Sequence, residues 1–268
     1  MNILMAANDL LYSGIELVTY TLLTHNKDCN IYIFTMDINV DNGDGTGTRY
    51  VAITPDQRDR LKKLVKYLDT RSNICFIDCA QAYIDYLTPS PNEGTHFTPF
   101  ASLRLLADIL LPDVDDILYF DADVAITGDI SGVYYDHVNR NCNYSAYVLQ
   151  SACDYVGEMI SGVLLLNLRK IRETHFLEHA RANFKRNLYK YPDQMALRDA
   201  GNPEEFPENF GFCEKLEECT ELPLVIHFTN EIAPKIYCCR GMEIIFYRKF
   251  PFLRYVRDGL KKFDTINF

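Results

Sequence analysis

Short apolar runs alternate with helix-length amphipathic segments from the first residues onward, and this alternation restricts the chain to an α/β architecture. Ile3, Leu4 and Met5 give a first strand signal, a turn follows at Ala7 to Asp9, and GIELVTYTLLTHN then repeats apolar residues at helical spacing. IYIFTM, residues 31 to 36, is the next strand. A β-α-β start predicts parallel pairing with a helix laid across one face of the sheet. TPDQRDRLKKLVKYL opens with Thr54 as a cap and Pro55 at the first helical position, then places Leu61, Leu64, Val65 and Leu68 on one face. NICFID (73–78), ILYF (117–120), VLLLNL (163–168) and LPLVIHF (222–228) read as further strands. FASLRLLADILLP, ending at Pro112, and the charged stretch from His175 to Leu188 read as helices.

The 268 residues suffice for one large domain with a sizeable core, 48% of them being apolar. A net charge of −10 argues against a general nucleic-acid binder, which needs a clustered basic surface. MNILMAANDL has no basic region, so it reads as a strand and not a signal peptide. No stretch approaches the roughly 18 apolar residues of a membrane span. The nine cysteines lack CxxC spacing, and Cys238 and Cys239 are adjacent; reduced thiols in a cytoplasmic protein are expected. DNGDGTGT (41–48) invites comparison with a calcium loop beginning at Asp37, Asn39 and Asp41. Asn42 stands where that loop needs Gly and Thr48 where it needs Glu, so a surface loop is expected.

ILYFDADVAI (117–126) carries the functional signal. In open α/β sheets ligands bind beyond the carboxyl ends of the strands, and Asp121 and Asp123 lie just past such an end. Two carboxylates one residue apart can converge on one hard cation, magnesium or manganese, which keeps positions open for diphosphate oxygens. The metal would supply the positive charge that an acidic chain lacks. Two alternatives stand beside this. Either Asp can cap the following turn. An aspartyl phosphatase also uses Asp-x-Asp, but it wants Thr or Val where Ala125 sits, near the start of the chain. His227 ends the LPLVIHF strand, and parallel pairing with ILYF would bring its imidazole to the same sheet edge; an imidazole with two carboxylates suits manganese.

Taken in order, MNILMAAND, FASLRLLADILLPDVDDILYFDADV, ISGVLLLNLRKIRE, YPDQMAL and VIHFTNEIAPK resemble glycosyltransferase family 8 over roughly residues 1 to 235. That family holds retaining, nucleotide-sugar-dependent enzymes of the GT-A fold, a Rossmann-like, mainly parallel sheet flanked by helices. The resemblance implies that Asp121, Asp123 and His227 hold Mn2+, or Mg2+ in its place, on the diphosphate of UDP-glucose or UDP-galactose. It implies that Ala6 and Asn8 meet the uracil and ribose, that Arg104, Asp121 and Ala122 line the donor sugar, and that Lys235 pairs with the diphosphate. Asp193 and Gln194 match the family's Asp-Gln pair at the anomeric face, with a saccharide as acceptor.

The chain departs from the family pattern at three places. The first turn reads Asn8-Asp9-Leu10-Leu11 with Tyr12 one place late, Ile160 replaces an Asn before the small-Gly pair, and the loop at 230–237 is reshaped around a displaced Lys235. The rival expectation is therefore a binding module of the same fold that has lost turnover. The expected organisation is a transferase domain over 1–240 and a short C-terminal extension over 241–268. RKFPFLRYVRDGLKK (248–262) carries six basic residues against one acid, interleaved with aromatics. It suits either peripheral contact with an anionic membrane or a terminal helix packed on the domain.

Overall fold

The computed structural model describes residues 1–41, 46–95, 97–148, 159–207, 209–212, 221–228 and 253–266. Strand β1 (Asn2–Ala6) leads through a single 3-10 turn into α1 (Tyr12–His25), and β2 (Asn30–Thr35) returns parallel to β1. A hairpin, β3 (Ile38–Asp41) and β4 (Gly47–Tyr50), precedes α2 (Pro55–Leu68) and β5 (Asn73–Asp78). The Gly-rich segment expected as a surface loop is exposed or half-buried where described, and its ends, Asp41 and Gly47 to Thr48, lie in the hairpin arms; residues 42–45 lie outside the described residues. Helix α2 starts on a capping box: Thr54 Oγ accepts the Gln57 N–H, and the Gln57 side chain accepts the Thr54 N–H.

After α3 (Ala80–Leu87) the sequence FASLRLLADILLP does not make one α-helix. It runs as a 3-10 helix over Pro99–Leu106 and only then as a single α-turn, α4 (Ala107–Leu110). The apolar spacing fits either period, and the tighter winding leaves Arg104 on a buried face. β6 (Asp116–Phe120), β7 (Val124–Ile126), α5 (Ser131–Val138), β8 (Tyr144–Val148) and a long β9 (Met159–Asn167) follow. The chain continues through α6 (Leu168–Thr174), α7 (Phe176–Arg186), α8 (Pro192–Ala200), β10 (Glu204–Glu205), β11 (Phe210–Phe212) and β12 (Val225–His227), and α9 (Arg254–Asp264) completes the described elements.

Seven strands form the main sheet in the order β10-β8-β9-β6-β1-β2-β5. β5, β2, β1 and β6 run parallel, and β9 is antiparallel to both β6 and β8. Strand alternation splits the core in two. Leu4, Phe34 and Tyr119 face the layer built from α3, the 3-10 helix and α6 to α8, whereas Ile3, Met5, Leu118 and Phe120 face α1, α2 and α5.

β11, β12 and β7 make a separate small sheet in which β12 pairs antiparallel with β7. The strand ending at His227 is therefore not a parallel partner of ILYF. Helix α9 packs on this small sheet: Leu253, Val256 and Phe263 bury against Ala125, Ile226, Phe228 and residues of α1. Gly259 makes that approach close, since a Cβ there would overlap the Tyr20 hydroxyl. The apolar side of α9 is thus committed to the domain, while Arg254, Lys261 and Lys262 are exposed; residues 248–252 of the basic tail lie outside the described residues. Among the described residues no helix is long and apolar enough to cross a membrane, and Cys29, Cys75, Cys79 and Cys142 are free thiols.

Candidate active site

β6 ends where its ladder with β9 ends. The Asp121 N–H donates to the Gly162 carbonyl at 2.8 Å, the chain turns through Ala122 and Asp123, and β7 departs into the small sheet. There the antiparallel register sets His227 opposite Val124, and the Phe228 N–H donates to the Asp123 carbonyl at 2.9 Å. Pairing with the strand that follows the two carboxylates is what brings the imidazole to them. His227 Nε2 lies 3.2 Å from Asp123 Oδ1 and 3.7 Å from Asp121 Oδ2.

The three residues offer ligand atoms that all lie within 4.8 Å of one another. An octahedral cation with bonds of about 2.1 Å holds opposed donors about 4.2 Å apart, so the cluster has the right size. Its donor set, two carboxylate oxygens and one imidazole nitrogen, suits manganese and is tolerated by magnesium. Electrostatics agree. Burial works to depress the His227 pKa, but Asp123 and then Asp121 outweigh it and raise the pKa above the usual imidazole value. The other ring nitrogen, Nδ1, is buried and has no hydrogen-bond partner among the described residues.

On the other side of Asp121 lies a closed polar network. Arg104, only 2% exposed, sends Nη2 to Asp121 Oδ1 (2.8 Å) and Nη1 to the Ser161 carbonyl. Its Nε donates to the Ala101 carbonyl at 2.8 Å and sits 3.2 Å from Asp193 Oδ2. The guanidinium also stacks over the Tyr119 ring, 4.1 Å from its centroid, and the Tyr119 hydroxyl donates to Asp121 Oδ1 at 2.6 Å. Burial opposes the charge on Arg104, yet Asp121 and Asp193 raise its pKa above the ordinary arginine value. Asp193 is pushed up by burial, a push that Arg104 counters and Asp121 reinforces.

Ser161 closes the network. Its N–H donates to Gln194 Oε1 at 3.1 Å and its hydroxyl to Asp193 Oδ2 at 3.3 Å. The Ser161 N–H is free for this because β9 bulges there: Ala146 of β8 pairs with Leu164 but the next residue, Tyr147, pairs with Ile160. α8, opened by Pro192 at its first turn, carries Asp193 and Gln194 to the bulge.

The structure thus brings Asp121, Asp123 and His227 into one cluster and Arg104, Asp193 and Gln194 into an adjoining one. Ala122 is buried between the two carboxylates. Ala6 ends β1, and Asn8, also buried, uses its side-chain oxygen to accept the Leu11 N–H at 3.1 Å. Leu10 is exposed, and Ile160 sits in the β9 ladder opposite Tyr147. Lys235 and the loop at 230–237 lie outside the described residues. Sequence reasoning missed the parts played by Tyr119, Ser161 and Gly162. Strand alternation was the available signal for Tyr119, which shares a face with Asp121. For the other two it was the Ser-Gly pair interrupting an apolar run, which suggests a bulge or a close approach.

A mainly parallel sheet with an Asp-x-Asp turn at its carboxyl edge is the arrangement of GT-A glycosyltransferases, and solved structures agree. The chain is similar to the galactosyltransferase LgtC, crystallised in complex with donor and acceptor sugar analogs (TM-score 0.66, 16% identity, covering 91% of this chain and 93% of that one). It is similar to the glycosyltransferase GlyE of Streptococcus pneumoniae TIGR4 (TM-score 0.64, 16% identity, 96% of this chain and 63% of that one). Mouse xyloside xylosyltransferase 1 aligns with a TM-score of 0.58 and 13% identity over 85% of this chain and 98% of that one. A search of curated proteins by sequence gave no match. The family model described as Glycosyl transferase family 8 matches residues 2–200, and the chain belongs to that family.

Proposed function

We propose that this glycosyltransferase is a metal-dependent, retaining enzyme that moves glucose or galactose from its UDP-sugar to a saccharide acceptor, in the synthesis of a cell-surface polysaccharide or lipopolysaccharide. The observation that carries the reading is the Asp121–Asp123–His227 cluster beside the Arg104–Asp193–Gln194 network. LgtC, crystallised with donor and acceptor sugar analogs together, supports the two-substrate form of the reaction.

Asp121 Oδ2, Asp123 and His227 would hold Mn2+, with Mg2+ as the substitute. When bound, the cation offsets the charge that builds on the departing diphosphate. The chain's own residues do the rest. Arg104 and Asp193 orient the hexose hydroxyls at the foot of the site. Gln194 has one lone pair of Oε1 occupied by the Ser161 N–H, so its oxygen is aimed and its second lone pair is left to stabilise positive charge at the anomeric carbon. Asp193 is a poor nucleophile in this setting because Oδ2 already faces Arg104 Nε and the Ser161 hydroxyl. The acceptor hydroxyl then attacks from the face the diphosphate leaves and gives its proton to the departing diphosphate oxygen, so the bond to UDP breaks as the new glycosidic bond forms and configuration is retained without a covalent intermediate. A glycosyl-Asp193 adduct found by mass spectrometry would overturn that route.

The deciding experiment is UDP release from a panel of nucleotide sugars, with and without Mn2+, in the wild type and in the Asp121→Asn/Asp123→Asn double variant. Release from one donor, lost in the variant and without metal, is expected. Tight nucleotide binding with no release from any donor, even with an acceptor panel present, would instead identify the binding module.

A further inference from the structure

We propose that Gly162 is the positioning residue of the metal site: its bare Cα seats the His227 imidazole, and its carbonyl fixes Asp121. The inference rests on the metal-binding reading above and concerns how two ligands far apart in sequence are held at one spacing.

Gly162 does not owe its identity to backbone conformation, because among the described residues the glycines with positive φ are Gly94 and Gly211. What the position demands is space. A Cβ on Gly162 would overlap three atoms of the His227 ring, Cε1, Nδ1 and Nε2, so the imidazole lies flat across the glycine. The ring cannot retreat by moving its backbone. His227 is paired with Val124, and the next residue donates to the Asp123 carbonyl at 2.9 Å. A side chain at 162 would force rotation about the His227 side-chain bonds instead, and Nε2 would leave its place 3.2 Å from Asp123 and 3.7 Å from Asp121.

The second contact points the other way. The Gly162 carbonyl accepts the Asp121 N–H at 2.8 Å, which ties the start of the Asp-x-Asp turn to the same residue. One backbone unit therefore sets the distance between an Asp at the end of β6 and a His on β12, elements of two different sheets. A bulge glycine kept only for sheet geometry would make the first of these features an accident. A seat for the ring makes them one device, and residues that orient metal ligands commonly govern affinity by 10- to 100-fold.

A double-mutant cycle between Gly162→Ala and His227→Ala separates the two accounts. Two quantities are read on the full chain: the melting temperature in EDTA and the affinity for Mn2+ alone, followed by the free-Mn2+ electron paramagnetic resonance signal. Gly162→Ala is expected to lower the melting temperature by several degrees and to weaken Mn2+ binding at least tenfold. His227→Ala also weakens binding, and adding Gly162→Ala to it should change neither quantity further, because the space is then free. If Gly162→Ala alone does not fold, folding of the double variant is the same result in stronger form. An equal loss of melting temperature in both backgrounds would overturn the seat, as would Mn2+ affinity unchanged in a folded Gly162→Ala protein. Failure of the wild type to bind Mn2+ is a different outcome: it sinks the metal reading, and with it the role of the seat, while the melting data still report the ring contact.

Discussion

Asp121 is shared by two regions of opposite character. On its Oδ1 side the polar groups are paired with one another within the protein: Arg104 reaches two carboxylates and two carbonyls, Tyr119 reaches Asp121, and Ser161 reaches Asp193 and Gln194. On its Oδ2 side two carboxylates converge on one imidazole whose second nitrogen is buried without a partner among the described residues. The first region is held by the fold and helps to hold it, because a satisfied buried network is costly to break. The second is a cluster whose charges are balanced best by something that comes from outside. One side of Asp121 is thus built for shape and the other for charge.

Removing the centre of the satisfied region tests that contrast hardest. Arg104→Ala leaves Asp121 and Asp193 without their cation, and breaking such a buried pair costs about 3–5 kcal/mol. Urea unfolding of the variant should show a loss of that order, together with loss of transfer; stability within about 1 kcal/mol of wild type would mean the network is not structural. The matching change on the other side, Asp123→Asn, should reverse the pattern. UDP release at saturating Mn2+ should fall at least 100-fold, whereas the stability of the EDTA-treated protein should move by less than about 1 kcal/mol, the size of a typical hydrogen-bond contribution. A large loss of stability would place Asp123 with the structural groups.

The smallest expected effect calibrates the comparison on a carboxylate remote from the site. Burial works against ionisation of Asp69, but hydrogen bonds from the Ser72 hydroxyl (2.6 Å) and the Asp28 N–H (2.8 Å) win, holding its pKa down to about 2. Its folded pKa lies below the unfolded value of about 3.9, so its contribution is present above that pH and is lost as pH falls toward 2. The acid limb of the stability profile should therefore flatten in Asp69→Asn, and a limb identical to that of the wild type would count against this hydrogen-bonded carboxylate.

The strands that carry this arrangement were legible because they are apolar on both faces and bounded by clear turns, as in β1, β2, β5 and β6. Helix α2 was legible to its first residue because Thr54 and Pro55 announce it. Three things were not. The 3-10 winding of Pro99–Leu106 escapes a pattern that cannot tell a period of 3.0 from 3.6 in so short a run. β7 has only three residues, Val-Ala-Ile, and its pairing with β12 is a contact between distant parts of the chain that no local signal encodes. His227 was singled out on the supposition of a parallel partner and reaches the carboxylates through an antiparallel one. The need for glycine at 162 likewise lies in a ring that arrives from residue 227. Local chemistry wrote the ligands into the sequence, whereas their spacing is a property of the assembled sheets.

The packing of α9 has a consequence for the order in which the molecule comes to life. The strand bearing His227 is sandwiched: β7 holds one edge, and Leu253, Val256 and Phe263 cover Ile226 and Phe228 on either side of the histidine. A nascent chain can pair β1, β2, β5 and β6 and bury much of its core while β12 and α9 are still inside the ribosome. It cannot yet complete the Asp-Asp-His cluster. Completion of that cluster therefore waits for β12, and a chain that stalls before it holds Arg104, Asp193 and Gln194 without His227.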